Sequence, residues 1–353
     1  MNSKYFYQDK PLFGLDVGFS TIKVMQIEST GRKRVVTGYG VASFDPKVIT
    51  NGVITDIDTV AKAAQELFKN QMNGEVTSPR VAIAIPAART YNRAIKLPKL
   101  DNKELAEAIR LEAEQYIPMP LEELYLDYNV IKRTDKEIEL FVVAVPKKII
   151  DSYLTLSRML GLEVVAMETT IGAASRLLVE VDRSDVPTVL IDFGSISADI
   201  TVFDKTLIVT GTVPSGGDNF TASIAEKLGV SPEEGHVIKT KYGLRHSKRQ
   251  AEITQALTPV LEQLLKEIRR VIRYYEERYE GNRKIGQIVT MGGGANMPGL
   301  SEYMTNALRL PVRMSDPWQH IGFARIEPPG TVERSIYVTV AGLALMNPKE
   351  VFA

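Results

Sequence analysis

Apolar residues along this chain change their spacing in blocks, and the blocks define its elements. Val189-Leu190-Ile191 is a continuous apolar run, the mark of a strand buried on both faces, and it delivers Asp192 and Gly194 into a tight turn. Alternation through Ala198, Ile200 and Val202 to Phe203 predicts the outgoing strand, and Leu207 to Val213 a third, ahead of a flexible Ser215-Gly216-Gly217. Leu12 to Ile27 repeats the first part: a strand, then Asp16, Gly18 and the hydroxyls of Ser20 and Thr21, then a strand carrying Lys23. Further strands are expected at Val35–Ser43, Val81–Ile85, Glu163–Met167 and Ile285–Met291. Helical spacing predicts helices over Val60–Met72, Lys148–Leu160, Ile171–Val181 and Asp218–Leu228, the second and fourth closed by Gly161 and Gly229. Ser231-Pro232-Glu233-Glu234 is a helix start, with a capping serine, proline in the first turn and acidic residues at the positive end of the dipole. A long helix follows from about Ala251 to Arg278, and an apolar small-residue helix spans Ile336–Met346. The charge run Lys266–Arg283 reads as a solvated face.

One segment breaks this rhythm. Ala94–Leu97 reads as a strand, Asn102 as the cap of a helix carrying Leu105, Ile109, Glu112, Ala113 and Tyr116, and Ile117-Pro118-Met119-Pro120 as its stop. Two strands, Tyr125–Arg133 and Ile138–Val145, complete a compact unit at about 90–145, too small to be a main lobe. The polar, proline-closed Asp182–Pro187 reads as the linker between two lobes.

Composition narrows the function classes. A length of 353 residues suits two domains, and 43 basic against 43 acidic residues argue against a nucleic-acid binder working by bulk charge. Cysteine is absent, which removes disulfides, thiol chemistry and Cys-based zinc sites. The first residues carry no apolar leader and no run approaches a membrane span, so a soluble cytoplasmic protein is expected. There is no G-x-x-x-x-G-K-[ST], no H-E-x-x-H and no G-x-S-x-G, and Met297 stands where Gly292-Gly293-Gly294 would need another glycine to complete a dinucleotide fingerprint. The three histidines are isolated.

The paired Asp-x-Gly turns are the candidate chemistry. A glycine in a hairpin lets backbone N–H groups approach phosphate oxygens, and neighbouring hydroxyls add donors. An aspartate ending a buried strand is a hard oxygen ligand able to hold a hydrated Mg²⁺. Two such hairpins, one per half, suggest related lobes facing one phosphate group.

With the third glycine cluster in order, the chain resembles the superfamily of actin, sugar kinases and heat-shock chaperone ATPases. LFGLDVGFSTIKV resembles the first phosphate loop, VLIDFGSISADITVF the second and IVTMGGGANMPGL the adenosine loop, while Val164–Leu178 and Tyr337–Met346 resemble the connecting helices. Within it, the inserted unit, with EAEQYIPMP and the following LDYNVI, is similar to the PilM family of type IV pilus assembly, related to FtsA. The resemblance implies an α/β, two-lobed, actin-like (ribonuclease H-like) ATPase fold with an inserted 1C subdomain. It divides the chain into lobe IA (1–90 and 146–181), 1C (91–145), lobe IIA (188–228 and 285–335), IIB (229–284) and a returning helix (336–346).

It also implies roles. Asp16 and Asp192 would lie near Mg²⁺ and the phosphates of ATP. Gly18, Phe19 and Ser20 would hold phosphate oxygens with Lys23 as counter-charge, and Gly194 and Ser195 would face them. Gly216 and Gly217 would pass close to ribose and phosphates, and Gly292, Gly293 and Gly294 would admit the base. Lys239 matches a lysine that contacts the nucleoside, whereas His236 stands where a glutamate is usual, with Glu233 or Glu234 as substitutes. Glu168 is the candidate for orienting a hydrolytic water, and binding with slow or negligible turnover is expected. The partner implied is the cytoplasmic N-terminal peptide of PilN, an inner-membrane protein, taken up between 1C and lobe IA. Ile117, Met119, Tyr125 and Tyr128 are the candidate contacts. The tail after Met346 is too short for the membrane-targeting helix that ends FtsA proteins, which favours PilM over an FtsA-like, filament-forming protein. A small-molecule kinase would need a positioned carboxylate base, and none is visible outside the phosphate loops.

Overall fold

The computed structural model describes residues 10–31, 33–182, 185–278, 283–331 and 333–347. The expectations about a leader and a short tail fall on residues 1–9 and 348–353, outside the described residues.

The first lobe is built on β1 (Phe13–Val17), buried along its whole length because it lies inside its sheet with helices over both faces. The chain turns back through β2 (Thr21–Thr30) and β3 (Lys33–Ser43), both antiparallel, then passes through α1 (Ile57–Asn70) to β4 (Arg80–Ile85), parallel to β1. The Asp56 carboxylate caps α1 by accepting from the Thr59 amide at 3.1 Å.

The inserted unit follows directly. It comprises β5 (Tyr91–Pro98), α2 (Asn102–Tyr116), β6 (Leu124–Arg133) and β7 (Glu137–Pro146), in a separate antiparallel sheet of order β5-β7-β6. Leu105 and Ile109 of α2 seal one face of that sheet against Ile95, Ile138, Leu140 and Val142. The helix cap is Asp101 rather than Asn102: Asp101 accepts from the Glu104 amide at 2.9 Å while Glu104 accepts from the Asp101 amide at 3.1 Å. This reciprocal box satisfies two helix-terminal donors at once. The chain re-enters the first lobe through α3 (Lys147–Met159), β8 (Glu163–Thr169) beside β4, and α4 (Thr170–Asp182).

The second lobe repeats the plan. It runs through β9 (Thr188–Phe193), β10 (Ala198–Asp204), β11 (Thr206–Val213), α5 (Gly217–Leu228), α6 (Pro232–Lys241) and α7 (Gln250–Arg278). It closes with β12 (Gln287–Met291), α8 (Leu300–Leu308), β13 (Val312–Met314) and α9 (Val338–Ala344), giving a sheet of order β11-β10-β9-β12-β13. The expected alternation of β10 is absent: Asp199 and Thr201 are as buried as Ile200 and Val202. One face of the strand packs on its own helices, and the other turns toward the first lobe. The long helix α7 carries Pro259, which cannot donate to the Gln255 carbonyl. Pro259→Ala is expected to restore that bond and raise the melting temperature by an amount equivalent to about 1 kcal/mol, read by calorimetry.

Helices α4 and α9 lie between the two sheets. Ile171, Ala174, Leu177, Val340 and Ala341 share one core with Met25, Ile27 and Val36 of the first sheet and Leu190, Val289 and Met291 of the second. The crossing is close because Gly342 sets α9 against the backbone of α4 at Ala173. One assignment from the sequence is corrected. Gly322–Phe323, expected in the second lobe, pairs in parallel with Val35 and Val36 of β3, and Trp318, Phe323 and Tyr337 cluster with Tyr39. Buried aromatic area draws this returning stretch onto the first sheet.

Candidate functional site

The two Asp-x-Gly hairpins are superposable in their pairing. In the first, Asp16 pairs across the ladder with Lys23 and the Gly18 amide donates to Thr21 at 2.8 Å. In the second, Asp192 pairs with Asp199 and the Gly194 amide donates to Ser197 at 2.9 Å. Both turns open onto one cavity of about 450 Å³ between the lobes. That volume lies within the 300–1,000 Å³ usual for a small-molecule site.

The cavity brings together Asp16, Gly18, Phe19, Ser20, Lys23, Asp192, Gly194, Ser195, Gly217, Lys239, Gly292, Gly293 and Gly294 from the residues singled out in the sequence. Gly216 sits just behind the wall: a Cβ there would lie 2.5 Å from the Ser195 carbonyl. That contact lets the Gly217 and Asp218 amides donate to Gly194 and Ser195 at 2.9 and 2.8 Å, stitching the second hairpin to the start of α5. Gly292 has φ +81° and a Cβ there would lie 2.5 Å from Asp192 Oδ1, so only glycine fits beside that carboxylate. Lys239 is buried and donates to the Gly217 carbonyl at 2.8 Å; desolvation lowers its pKa.

Three expectations are corrected. Glu168 does not line the cavity; it packs over Gly172 and is held by both guanidinium nitrogens of Arg176. Glu233 and Glu234 also lie outside it, and Glu234 is used in the capping box of α6 with Ser231. His236 lines the cavity beside Lys239 and Thr240. Ile117 is buried with Ala113, Leu121, Leu124 and Ala144, so it belongs to the core of the inserted unit rather than to a surface. Met119 and Tyr128 are half-buried, while Tyr125 is exposed, with its hydroxyl 3.3 Å from Asp151 and its ring 5.5 Å from Lys147 Nζ.

Sequence reasoning missed Arg89, Asp199, Thr212, Asp218, Ser335 and Thr339, all of which line the cavity. Polar Asp199 and Thr201 within an apolar strand were the available signal, since a strand face turned toward a second lobe needs no hydrophobic pattern.

The charges are unevenly paired. Asp16 is neutralised by Lys23 at 2.9 Å. Asp192 faces Asp199 instead, and burial together with the Asp199 and Asp16 charges pushes its pKa up to about 7. Asp199 rises to about 6, chiefly through burial, against the Thr212 hydroxyl at 2.6 Å, the Ala88 backbone amide and the Arg89 charge. A cavity with surplus carboxylates on one wall and glycine turns on the other suits a cation-bound polyphosphate. No group of three acidic or histidine side chains converges as a direct metal cage among the described residues. A Cβ on Gly293 would meet only Ile336 Cγ2 at 3.9 Å, leaving room for a ligand against the backbone.

The family model for type IV pilus assembly protein PilM matches residues 14–347. The chain belongs to the PilM family. Its fold is shared with a solved PilM–PilN type IV pilus biogenesis complex at a TM-score of 0.81, with 22% identity over 95% of this chain and 98% of that one. MreB5 of Spiroplasma citri bound to AMPPNP shares it at a TM-score of 0.52, with 11% identity over 95% of both chains. Cell division protein FtsA of Bacillus subtilis is 25% identical over 86% of this chain and 78% of its own length. This PilM-family chain therefore has the actin-like, two-lobed α/β architecture expected of it. Among the described residues no helix is long and apolar enough to cross a membrane.

Proposed function

We propose that this chain is an ATP·Mg²⁺-binding scaffold of the type IV pilus inner-membrane assembly platform, and that it takes up the N-terminal cytoplasmic peptide of a PilN-type protein. The observation that carries the reading is the cavity between two in-register Asp–Gly hairpins. The solved PilM–PilN complex supports the choice of partner.

ATP·Mg²⁺ would supply a metal-complexed triphosphate for the two hairpins to hold. The chain's own residues do the rest. Asp16 and Asp192 would hold the hydrated ion, the Gly18–Ser20 and Gly194–Ser195 turns would offer amides and hydroxyls to the phosphates, and Gly292–Gly294 would admit the base. The ligand thereby fixes the angle between lobes to the extent that it binds one arrangement better than another. Turnover is slow or negligible, because Glu168 is committed to Arg176 and does not line the cavity.

The peptide enters between the inserted unit and the first lobe. There β6 is an edge strand, pairing among the described residues with β7 alone, so its outer amides and carbonyls are open to strand addition. Tyr125 on that strand spans the gap to Lys147 and Asp151 of α3. A chain held in this way sits at the membrane through its partner.

Calorimetric titration of a PilN N-terminal peptide into the full chain tests the reading. Saturable binding is expected, with an affinity that changes when ATP·Mg²⁺ is present. Failure of the chain to bind either ligand would overturn it. Tyr125→Ala is expected to weaken the peptide about ten-fold, as truncation of an interfacial tyrosine does, with no change in ATP affinity.

A further inference from the structure

Three lysine and arginine side chains line the cavity. Two have direct partners, Lys23 with Asp16 at 2.9 Å and Lys239 with the Gly217 carbonyl at 2.8 Å. Arg89 has no carboxylate within ion-pair distance among the described residues, and its side chain is exposed into the cleft. Its charge still favours the ionised form of Asp199, which the Ala88 backbone amide also stabilises. The two hairpins differ in charge. Lys23 stands where Asp199 stands in the repeat, so the second hairpin has two acids and no cation of its own.

The backbone around Arg89 is the entry to the inserted unit. Residues Ala87–Arg89 form a single 3₁₀ turn between β4 and β5. The Ala87 amide donates to Thr170 Oγ1 at the start of α4 at 3.3 Å. On the other side, Thr90 Oγ1 donates to the Ala87 carbonyl at 2.9 Å and accepts from Asn92 of β5 at 2.9 Å. Strand β5 in turn packs on β11, whose Thr212 donates to Asp199 at 2.6 Å. Cavity, turn and inserted sheet thus form a closed circuit of contacts. The Arg89 stem crosses Gly52, where a Cβ would lie 3.0 Å from its Cγ. Gly52 has φ +81°, so the glycine there answers a backbone demand as well as the close passage of the arginine stem.

We propose that Arg89 is the triphosphate sensor of this chain: its guanidinium, which has no carboxylate partner among the described residues, takes up phosphate oxygens, and the turn that carries it relays the change into the inserted subdomain. The inference rests on the ATP-binding reading above. The arrangement is balanced in charge. The ligand's cation compensates the two acids of the second hairpin, and its anionic end takes up a guanidinium whose planar fork matches phosphate bidentately. An arginine that gains its partner only with the ligand, on a short turn bonded to both α4 and β5, is the discrete switching element that coupling between sites requires.

Hydrogen–deuterium exchange of the full chain, with and without saturating ATP·Mg²⁺, tests this. In the unaltered protein, exchange is expected to slow about five-fold or more both at the phosphate turns (18–20 and 194–197) and in the inserted strands (91–98 and 137–146). Arg89→Ala is expected to bind ATP roughly 10- to 100-fold more weakly, the loss expected for a charged hydrogen bond. At saturation it should still protect the turns while leaving the inserted strands as in the empty protein. Arg89→Lys, which keeps the charge, should recover part of the affinity, and melting curves of both variants without nucleotide separate a lost relay from a lost fold. Inserted strands protected equally in Arg89→Ala and the unaltered chain would overturn the inference. So would protected turns with unprotected inserted strands in the unaltered chain. Unprotected turns in the unaltered chain would remove ATP binding itself, and the function proposed above with it.

Discussion

Asp192→Asn is expected to make the empty protein more stable while weakening ATP·Mg²⁺ about 100-fold, the scale of losing a charged ligand contact in a desolvated site. The sign follows from its environment. In the fold the carboxyl is pushed up to about 7, mainly by burial and then by Asp199 and Asp16, from 3.8 in the unfolded chain. Between those two values the native state holds a proton that the unfolded state has released. This group's contribution therefore falls as pH rises through that window, and above about 7 the full penalty of a buried charge is present. Asparagine removes the penalty at nearly constant shape. A gain of about 2 kcal/mol at pH 8, shrinking toward zero near pH 4, is the expected outcome in urea melts. A variant destabilised at pH 8, or one that keeps nucleotide affinity, would show that Asp192 is a structural rather than a functional acid. The same logic predicts that Mg²⁺ titrated with ATP releases protons at pH 6, which calorimetry in buffers of different ionisation enthalpy detects.

Gly342→Val is expected to cost about 3 kcal/mol or more, because the overlap is with backbone and cannot be relieved by a rotamer change. A Cβ at that position would lie far inside van der Waals contact distance of the Ala173 carbonyl oxygen, and α9 is buried over its whole length. On its other side α9 is equally close, since a Cβ on Gly14 of β1 would lie 2.5 Å from the Val340 carbonyl. The helix cannot back away. The melting temperature should fall by roughly 5–10 °C. Gly330→Ala is the control: its nearest neighbour is Glu333 Oε2 at 3.9 Å and its backbone is unrestricted, so no measurable change is expected. Because α4 and α9 join the two sheets, a milder Gly342→Ala that survives folding should also alter the ATP affinity of the cavity between them.

Part of the site is legible in the chain alone. Acids that end buried strands and glycines that follow them form local patterns, so Asp16, Gly18, Asp192, Gly194 and the Gly292–Gly294 cluster stand out from their neighbours. Arg89 does not, because a single arginine after Pro86-Ala87-Ala88 looks like any surface residue. Ile117 misleads for the opposite reason. It follows a helix and precedes a proline, which reads as an exposed turn, yet the inserted unit is so small that it needs this residue for its own core. Glu168 misleads in a third way, since its position at the start of a connecting helix fits a role near phosphate while Arg176, two turns on, claims it.

Strand and helix order, the two matched acid–glycine turns and the place of the insertion are all written locally in the amino-acid order. They depend on short-range spacing and on glycine's backbone freedom, which act within a few residues. Which charges meet is a property of the folded whole. Lys23 faces Asp16 because they pair within one hairpin, whereas the positive charge that acts on Asp199, that of Arg89, belongs to the other lobe. Residues from opposite lobes share no local pattern; their encounter is set by how α4 and α9 hold the two sheets, and packing of that kind depends on the whole core at once.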